Sequence, residues 1–452
     1  MSVQAKDQEI KASRKGIWGW MFFDWAAQPF HTLILTFIFA PYFASSVASS
    51  AVEGQAQWGY AAAIAGTLIA VLAPVLGSIA DATGPRKPWI FAFSSLAVLG
   101  SFALWWGLPH SSGEASVFFV LLAFVIAMIG FEFSAVFNNA MMPDLVPREK
   151  LGRLSGNAWA LGYVAGLLTL IVVLTSMATN DAGKTLIGIE PILGIDPSLK
   201  EGERATGPLT AIWFLIFVIP LFLFTPDLGR REKVTGALRK GITDLAGTIR
   251  NLPNNRSLFA YLGSSMIYRD ALNGLYTFGG IYAVGVLGWS IVQVGVFGIL
   301  ANLTGIIGAL IGGRLDDRLG PKFVVSCSVV LLAIASLVVI TTDPTHAFFI
   351  PVGAGSSIPD IVFYVCGGLI GACGGALQAA SRTLMADQAE PGRMTEAFGL
   401  YALSGRATAF LAPLLIAVFT DLSGSQRIGV VPIVLLFVVS LMLLPMVKQK
   451  TR

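Results

Sequence analysis

Gly77-Ser78-Ile79-Ala80-Asp81-Ala82-Thr83-Gly84-Pro85-Arg86-Lys87 and Gly313-Arg314-Leu315-Asp316-Asp317-Arg318-Leu319-Gly320-Pro321-Lys322 decide the fold. Glycine, aspartate, glycine, proline and a base recur in them at a constant offset of 236 residues. Agreement at five positions marks an internal duplication. On either side of each copy lie long apolar runs. The 452 residues are 55% hydrophobic and only 12% charged, against about a quarter charged in ordinary globular domains. A soluble chain of this length needs far more polar surface, so the composition is that of an integral membrane protein.

A helix crosses a bilayer with about 20 mostly apolar residues. Twelve such stretches occur, at 17–47, 58–80, 88–108, 116–142, 152–177, 209–225, 258–287, 291–313, 321–341, 358–386, 394–420 and 427–447. They are continuous, whereas the strands of a membrane barrel alternate. The expectation is an all-α membrane protein with twelve transmembrane helices in two six-helix pseudo-repeats, and parallel repeats of this kind are a transporter architecture. We divide the chain into a polar N-terminal segment (1–16), a first bundle (17–225), a linker rich in Arg, Lys and Asn (226–256), a second bundle (257–447) and a tail (448–452). Residues 1–16 precede an uncleaved first span, because no small-residue cleavage site follows it.

Orientation follows from Lys and Arg in the loops. The N-terminus, alternate loops beginning with 81–87, the linker and the tail hold 23 of the 30. The opposite loops hold four, Lys184, Lys200, Arg204 and Arg427. Both termini are therefore expected in the cytoplasm. The bases report topology and do not cluster on a soluble domain, so nucleic acid is not an expected partner. Cys327, Cys366 and Cys373 lack metal-ligand spacing and sit in apolar stretches, where buried thiols are expected and no metal site. The absence of a Gly-x-x-x-x-Gly-Lys-Ser/Thr loop argues against an ATP-driven pump, and no cofactor is implied.

The repeated Gly-x-x-x-Asp-x-x-Gly-basic loop resembles the signature loop of the major facilitator superfamily. Phe23-Asp24-Trp25-Ala26, Pro143-Asp144-Leu145 with Ser155-Gly156-Asn157-Ala158-Trp159-Ala160-Leu161-Gly162-Tyr163, and Gln378-Ala-Ala-Ser381-Arg382 with Phe398-Gly-Leu-Tyr401-Ala-Leu-Ser404-Gly405-Arg406-Ala407 resemble the Unknown Major Facilitator family, relatives of autophagy-linked vacuolar amino-acid effluxers. The resemblance implies a central cavity lined by spans 1, 4, 7 and 10. It also implies that each signature loop latches against the other half at the cytoplasmic face. Asp81 and Asp317 are then gate residues, with Arg393 and Arg153, which begin spans 11 and 5, as partners. Arg86 joins this gate set, although Arg86, Lys87 and Lys322 also serve topology.

Ionisable groups inside spans are costly and face a cavity or a partner. Asp24, Gln28 and His31 share one face of the first span at i, i+4 and i+7. Glu132 and Asn139 share a face of the fourth, and desolvation favours proton exchange at Glu132. Asp270 and Asn273 begin a comparable face in the seventh, where Asp270 approximately repeats Asp24. Arg269 projects elsewhere and needs another partner. In the tenth, Gln378 and Arg382 lie one turn apart, Arg382 near the cytoplasmic end as a gate or ion-pair residue. Arg406, at mid-span in the eleventh, binds a substrate carboxylate or pairs permanently with Glu132 or Asp24. Trp25 and Tyr401 are candidate aromatic walls.

The function that follows is secondary transport of a small organic solute by alternating access, with Asp24, Gln28, Asn139, Asp270, Asn273, Gln378, Arg406, Trp25 and Tyr401 as substrate contacts. Protonation of Glu132 or Asp24 couples transport to a proton gradient. The resemblance favours an amino acid or similar zwitterion, and export. The chain is expected to work as a monomer in a bacterial inner membrane. The alternatives are an uncoupled facilitator, a hydrophobic-drug efflux transporter, and a receptor or membrane enzyme. Three widely separated His residues and no nucleophile–base cluster argue against an enzyme.

Overall fold

The computed structural model describes residues 12–49, 51–113, 116–179, 183–229, 234–287, 289, 291–353, 355–390 and 392–449. The first half contains α1 (Arg14–Val47), α2 (Ala51–Thr83), α3 (Lys87–Ala103), α4 (Val117–Leu145), α5 (Leu151–Ser176) and α6 (Thr206–Phe224). A further helix, α7 (Val234–Asn251), lies in the expected linker. The second half contains α8 (Arg256–Leu287), α9 (Ile291–Leu319), α10 (Pro321–Ile340), α11 (Ile358–Gln388), α12 (Met394–Ala407), α13 (Leu411–Ser423) and α14 (Gln426–Leu443).

Among the described residues, ten helices are long and apolar enough to cross a membrane, against the twelve expected. The two expected stretches outside that set are 258–287 and 394–420. Arg269 and Asp270 sit inside the 32-residue α8. The stretch 394–420 breaks at Thr408–Phe410 into α12 and α13. α1 is also irregular: from Pro29 onward it continues as a π-helix over Phe30–Phe37. Proline removes a backbone donor from the ladder there. Pro74, by contrast, lies within a continuous α2.

Lipid tails are as apolar as the side chains, so the bundles depend on close packing. In the first half α1 packs on α5 and α6, and α4 packs on α2 and α3. A Cβ at Gly100 would come within 2.5 Å of the Ala127 backbone nitrogen, so glycine lets α3 and α4 touch. Phe30 and Phe214 close on Phe131 of α4, with ring centroids 4.4 and 4.8 Å away. Such aromatic pairs add about 0.5–1.5 kcal/mol each beyond their burial. In the second half Gly308, Gly312, Gly371 and Gly375 bring α9 against α11.

The halves meet along two seams, α2 on α12 and α5 on α9. Each residue type in the repeated loop has a duty at one of them. A Cβ at Gly77 would come within 2.6 Å of the Thr395 carbonyl oxygen, and one at Gly313 within 2.5 Å of the Gly152 carbonyl oxygen. The first glycine of each copy thus permits the seam. The second turns the chain with positive φ, 99° at Gly84 and 89° at Gly320, a conformation that penalises a Cβ. The repeated proline opens the next helix at Pro321, whereas Pro85 lies just before α3, whose first turn carries Pro88 instead.

At the opposite end, loops are tied individually. Arg204 lies with its guanidinium 4.6 Å from the Trp105 ring and donates to the Trp105 carbonyl at 2.9 Å. Between α10 and α11, Asp343 accepts from Arg427 at 2.7 Å and from Thr345. Burial pushes the Asp343 carboxyl up, but the bonds from Thr345 and His346 and the Arg427 charge outweigh it and bring it to about 2. A depressed carboxylate stabilises this loop fully above the ordinary value of about 3.9, and the stabilisation is lost as pH falls through about 2. We therefore expect pepsin cleavage within 341–352 to rise between pH 4 and pH 2. In Asp343→Asn it should be high at both values.

Candidate functional site

A cavity of about 360 Å³ opens between the halves in the part of the bundle remote from the repeated loops. α1 supplies Gln28, His31, Thr32 and Thr36 as its polar wall. Phe297, Phe363, Ile370, Val430 and Ile433 from α9, α11 and α14 form the apolar wall. At its floor Tyr163 and Tyr276 are in side-chain hydrogen-bond contact, and Gln378 Nε2 donates to the Tyr163 hydroxyl at 2.9 Å. The π-helical turn places His31, Thr32 and Thr36 along the cavity; the Thr36 hydroxyl donates to the His31 carbonyl at 2.8 Å.

Below the floor, Arg382 of α11 is inserted into the first half. It donates to Asp24 at 2.8 Å, to Asn139 at 3.2 Å, and to the Ser155 hydroxyl and carbonyl at 3.0 and 2.9 Å. Its guanidinium lies 5.6 Å from the Trp20 ring and 5.2 Å from the Trp159 ring. Asp24 therefore pairs with Arg382. The Arg406 side chain lies outside the described residues. Arg269 lies 4.2 Å from the ring of Tyr401, donates to the Tyr401 carbonyl at 3.0 Å, and is within electrostatic reach of Glu132. Two acids of the first half thus face two arginines of the second.

The end bearing the repeated loops is closed. Asp81 accepts from the backbone N–H groups of Thr395 and Glu396 at 3.1 and 2.8 Å, capping the N-terminus of α12. Arg86, buried beside it, donates to Thr395 and pairs with Asp144 at 2.5 Å. Asp317 does the same for α5, accepting from the Arg153 N–H at 3.0 Å with the Arg153 guanidinium 3.3 Å away. Charge at a helix N-terminus is favoured by the helix dipole, and hydrogen bonds to charged groups contribute about 1.5–3 kcal/mol each. Arg393 differs from the expectation: it pairs with Glu396 and Glu390, while Asp81 takes the backbone behind it.

Several candidates stand apart from the cavity. Asp270 is buried and accepts from the Ala412 N–H at 2.8 Å, so it caps the start of α13 at the helix break. Trp25 stacks on Trp213 at 5.5 Å between α1 and α6. Asn273 is exposed and lies one turn from Tyr276 on α8, outside the cavity lining. Tyr401 belongs with Arg269 and not with the cavity wall.

Sequence reasoning did not find the pair Arg148–Asp387, which crosses the halves at 2.6 Å. Its signal was present: Met141-Met-Pro-Asp144 and Leu384-Met-Ala-Asp387 are equivalent helix ends. It also left Arg269 without a partner, because periodicity within one helix carries no information about the face of another.

The Vacuole effluxer Atg22-like family profile matches residues 48–452. An uncharacterized MFS-type transporter, YxiO of Bacillus subtilis, is 25% identical over 440 residues, covering 96% of this chain and 94% of that protein. Autophagy-related protein 22 of Cryptococcus neoformans is 22% identical over 298 residues, covering 64% of this chain and 48% of its own. The chain thus matches about half the length of that fungal relative. Among solved structures, the E. coli fucose transporter FucP in its outward conformation superposes with a TM-score of 0.71 at 13% identity, over 96% of this chain and 99% of that one. That likeness speaks for the fold alone.

Proposed function

The chain belongs to the Vacuole effluxer Atg22-like family of major facilitator transporters, and we propose that it exports an amino acid or similar zwitterion by proton-coupled alternating access. The observation that carries this reading is the buried Asp24–Arg382 pair, 2.8 Å long, joining the halves beneath a cavity of about 360 Å³. A zwitterion reaching that depth offers a carboxylate to Arg382 and an ammonium to Asp24. It replaces the internal pair without leaving either charge uncompensated, which a solute with a single charge cannot do.

With the basic loops on the cytoplasmic side, the cavity faces away from the cytoplasm and the latches of Asp81, Arg86, Arg153 and Asp317 close the inner gate. Release inward or loading from the cytoplasm requires those contacts to part and the cavity to close. Glu132, facing Arg269 across the halves, takes the coupling proton; neutralising it frees α4 from α8. Within this reading the chain acts as a monomer in a bacterial inner membrane, since both halves of the pathway come from one polypeptide.

Counterflow in proteoliposomes against an amino-acid panel tests the proposal. We expect exchange of at least one amino acid, accelerated severalfold by a pH gradient, and loss of that acceleration in Glu132→Gln. Failure of every amino acid removes the substrate assignment, and indifference to the gradient makes the protein an uncoupled facilitator. The apolar wall of Phe297, Phe363, Val430 and Ile433 favours one second reading, an uncharged hydrophobic solute. It predicts that an uncharged dye is exported and that zwitterions do not compete.

A further inference from the structure

We propose that Tyr163, Tyr276 and Gln378 form a neutral hydrogen-bonded gate at the cavity floor, one that the polar head of the solute opens. The three side chains come from α5, α8 and α11, so the network spans the two halves. Gln378 Nε2 donates to the Tyr163 hydroxyl at 2.9 Å, and Tyr276 completes the contact. Both phenols line the cavity.

One glycine makes the meeting possible: a Cβ at Gly374 would strike the Tyr276 hydroxyl. Tyr163 lies over Gly305, where a Cβ would only reach ordinary contact, 3.5 Å from the phenol carbon Cζ. Tyr276 thus reaches the centre only because α11 offers no side chain there.

The position of the network gives it a consequence. Gln378 and Arg382 are one turn apart on α11, about 6 Å along the helix. Gln378 faces the cavity floor and Arg382 faces Asp24. A solute whose head group accepts from the phenols and donates in place of the Gln378 amide detaches Gln378 from the first half. The same rigid turn then carries Arg382. Occupancy of the cavity is thereby transmitted to the buried ion pair through four residues of one helix. The transport reading enters only in what breaks the network; the gate itself is present in the solute-free protein and is tested there.

The test is single-molecule FRET between dyes at Lys150 and Glu390, exposed positions on either side of the basic end, in a Cys327→Ser background without solute. Tyr163→Phe, Gln378→Leu and Gly374→Ala should each raise the fraction open at the basic end at least fivefold. The double variant Tyr163→Phe/Gln378→Leu should fall clearly short of the sum of the two single effects, because both lose the Gln378–Tyr163 bond. Tyr42→Phe, which deletes a buried hydroxyl bond to the Gly107 carbonyl within the first half, should leave the distribution unchanged. Unchanged distributions in folded Tyr163→Phe and Gly374→Ala overturn the proposal, as does an equal shift in Tyr42→Phe or full additivity in the double variant. Loss of transport with none of these shifts leaves the transport reading in place and removes the gate.

Discussion

Arg382→Ala should abolish counterflow, by at least 100-fold, and destabilise the protein by about 3–5 kcal/mol, the usual cost of removing one partner of a buried pair. The side chain is 5% exposed and donates four hydrogen bonds into the other half. Its loss leaves Asp24, whose side chain is 17% exposed, with no counter-charge, and a largely buried unpaired charge is expensive. The opposite deletion is milder. In Asp24→Asn the guanidinium keeps Asn139 and both oxygens of Ser155, so a cost of about 1–3 kcal/mol is expected. Asp24→Asn combined with Arg382→Gln removes both charges and should recover most of the stability but none of the transport. Arg382→Lys retains the charge but not the fork that reaches three partners, and it should transport poorly. Thermal unfolding in detergent reads the stability order and counterflow reads the activity. Wild-type exchange by Arg382→Ala would remove this pair from the mechanism.

Gly156→Leu should be equally severe, for a steric reason. Its Cβ would fall 2.9 Å from the Gly313 Cα and closer still to the Ala309 carbonyl. Both are backbone atoms, so no rotamer change relieves the clash. Overpacking of this kind typically costs about 1–3 kcal/mol when the structure must deform. Here the protein has another recourse, since the seam between α5 and α9 can simply part. The variant should fold, stay open at the basic end, and lose transport at least 100-fold. Gly77→Leu should act in the same way on α2 and α12, where the Thr395 carbonyl is the obstacle. Asp81→Asn, which weakens the cap without blocking it, should shift the equilibrium by about tenfold, a charge-assisted bond's worth. Maleimide labelling of a cysteine placed at Ser155, buried where α5 meets α11 of the other half, distinguishes these cases. Equal protection of that position in wild type and Gly156→Leu would contradict the wedge.

The repeated loop was the most legible part of the chain, because each of its residue types answers a backbone demand. Glycine at a close approach, glycine at positive φ and aspartate at a helix start are choices that few other residues replace. Fold class followed from the same loop and from hydrophobic length. Helix continuity was less legible: Arg269 and Asp270 inside α8, and the break at Thr408–Phe410, interrupt apolar runs where tertiary contacts hold them. Asp270 shows why intramembrane acids mislead. It sits in mid-span, as a binding residue would, yet it caps a helix broken elsewhere in the chain. Partners were the least legible. The spacing of Gln378 and Arg382 showed a shared face, but not that one reaches Tyr163 and the other Asp24. Those pairings depend on how α5 and α1 meet α11, which no periodicity encodes.

The central claim is that the two halves open one end at a time. Double electron–electron resonance tests it most directly, with spin labels at Lys150 and Glu390 across the basic end and, separately, at Ser111 and Ser357 across the other, all exposed. In Cys327→Ser protein without solute, the Ser111–Ser357 distances should be predominantly long and the Lys150–Glu390 distances predominantly short. Gly156→Leu should exchange the two patterns. Distances that lengthen at both ends together, or that do not respond at either, would contradict alternating access in this protein.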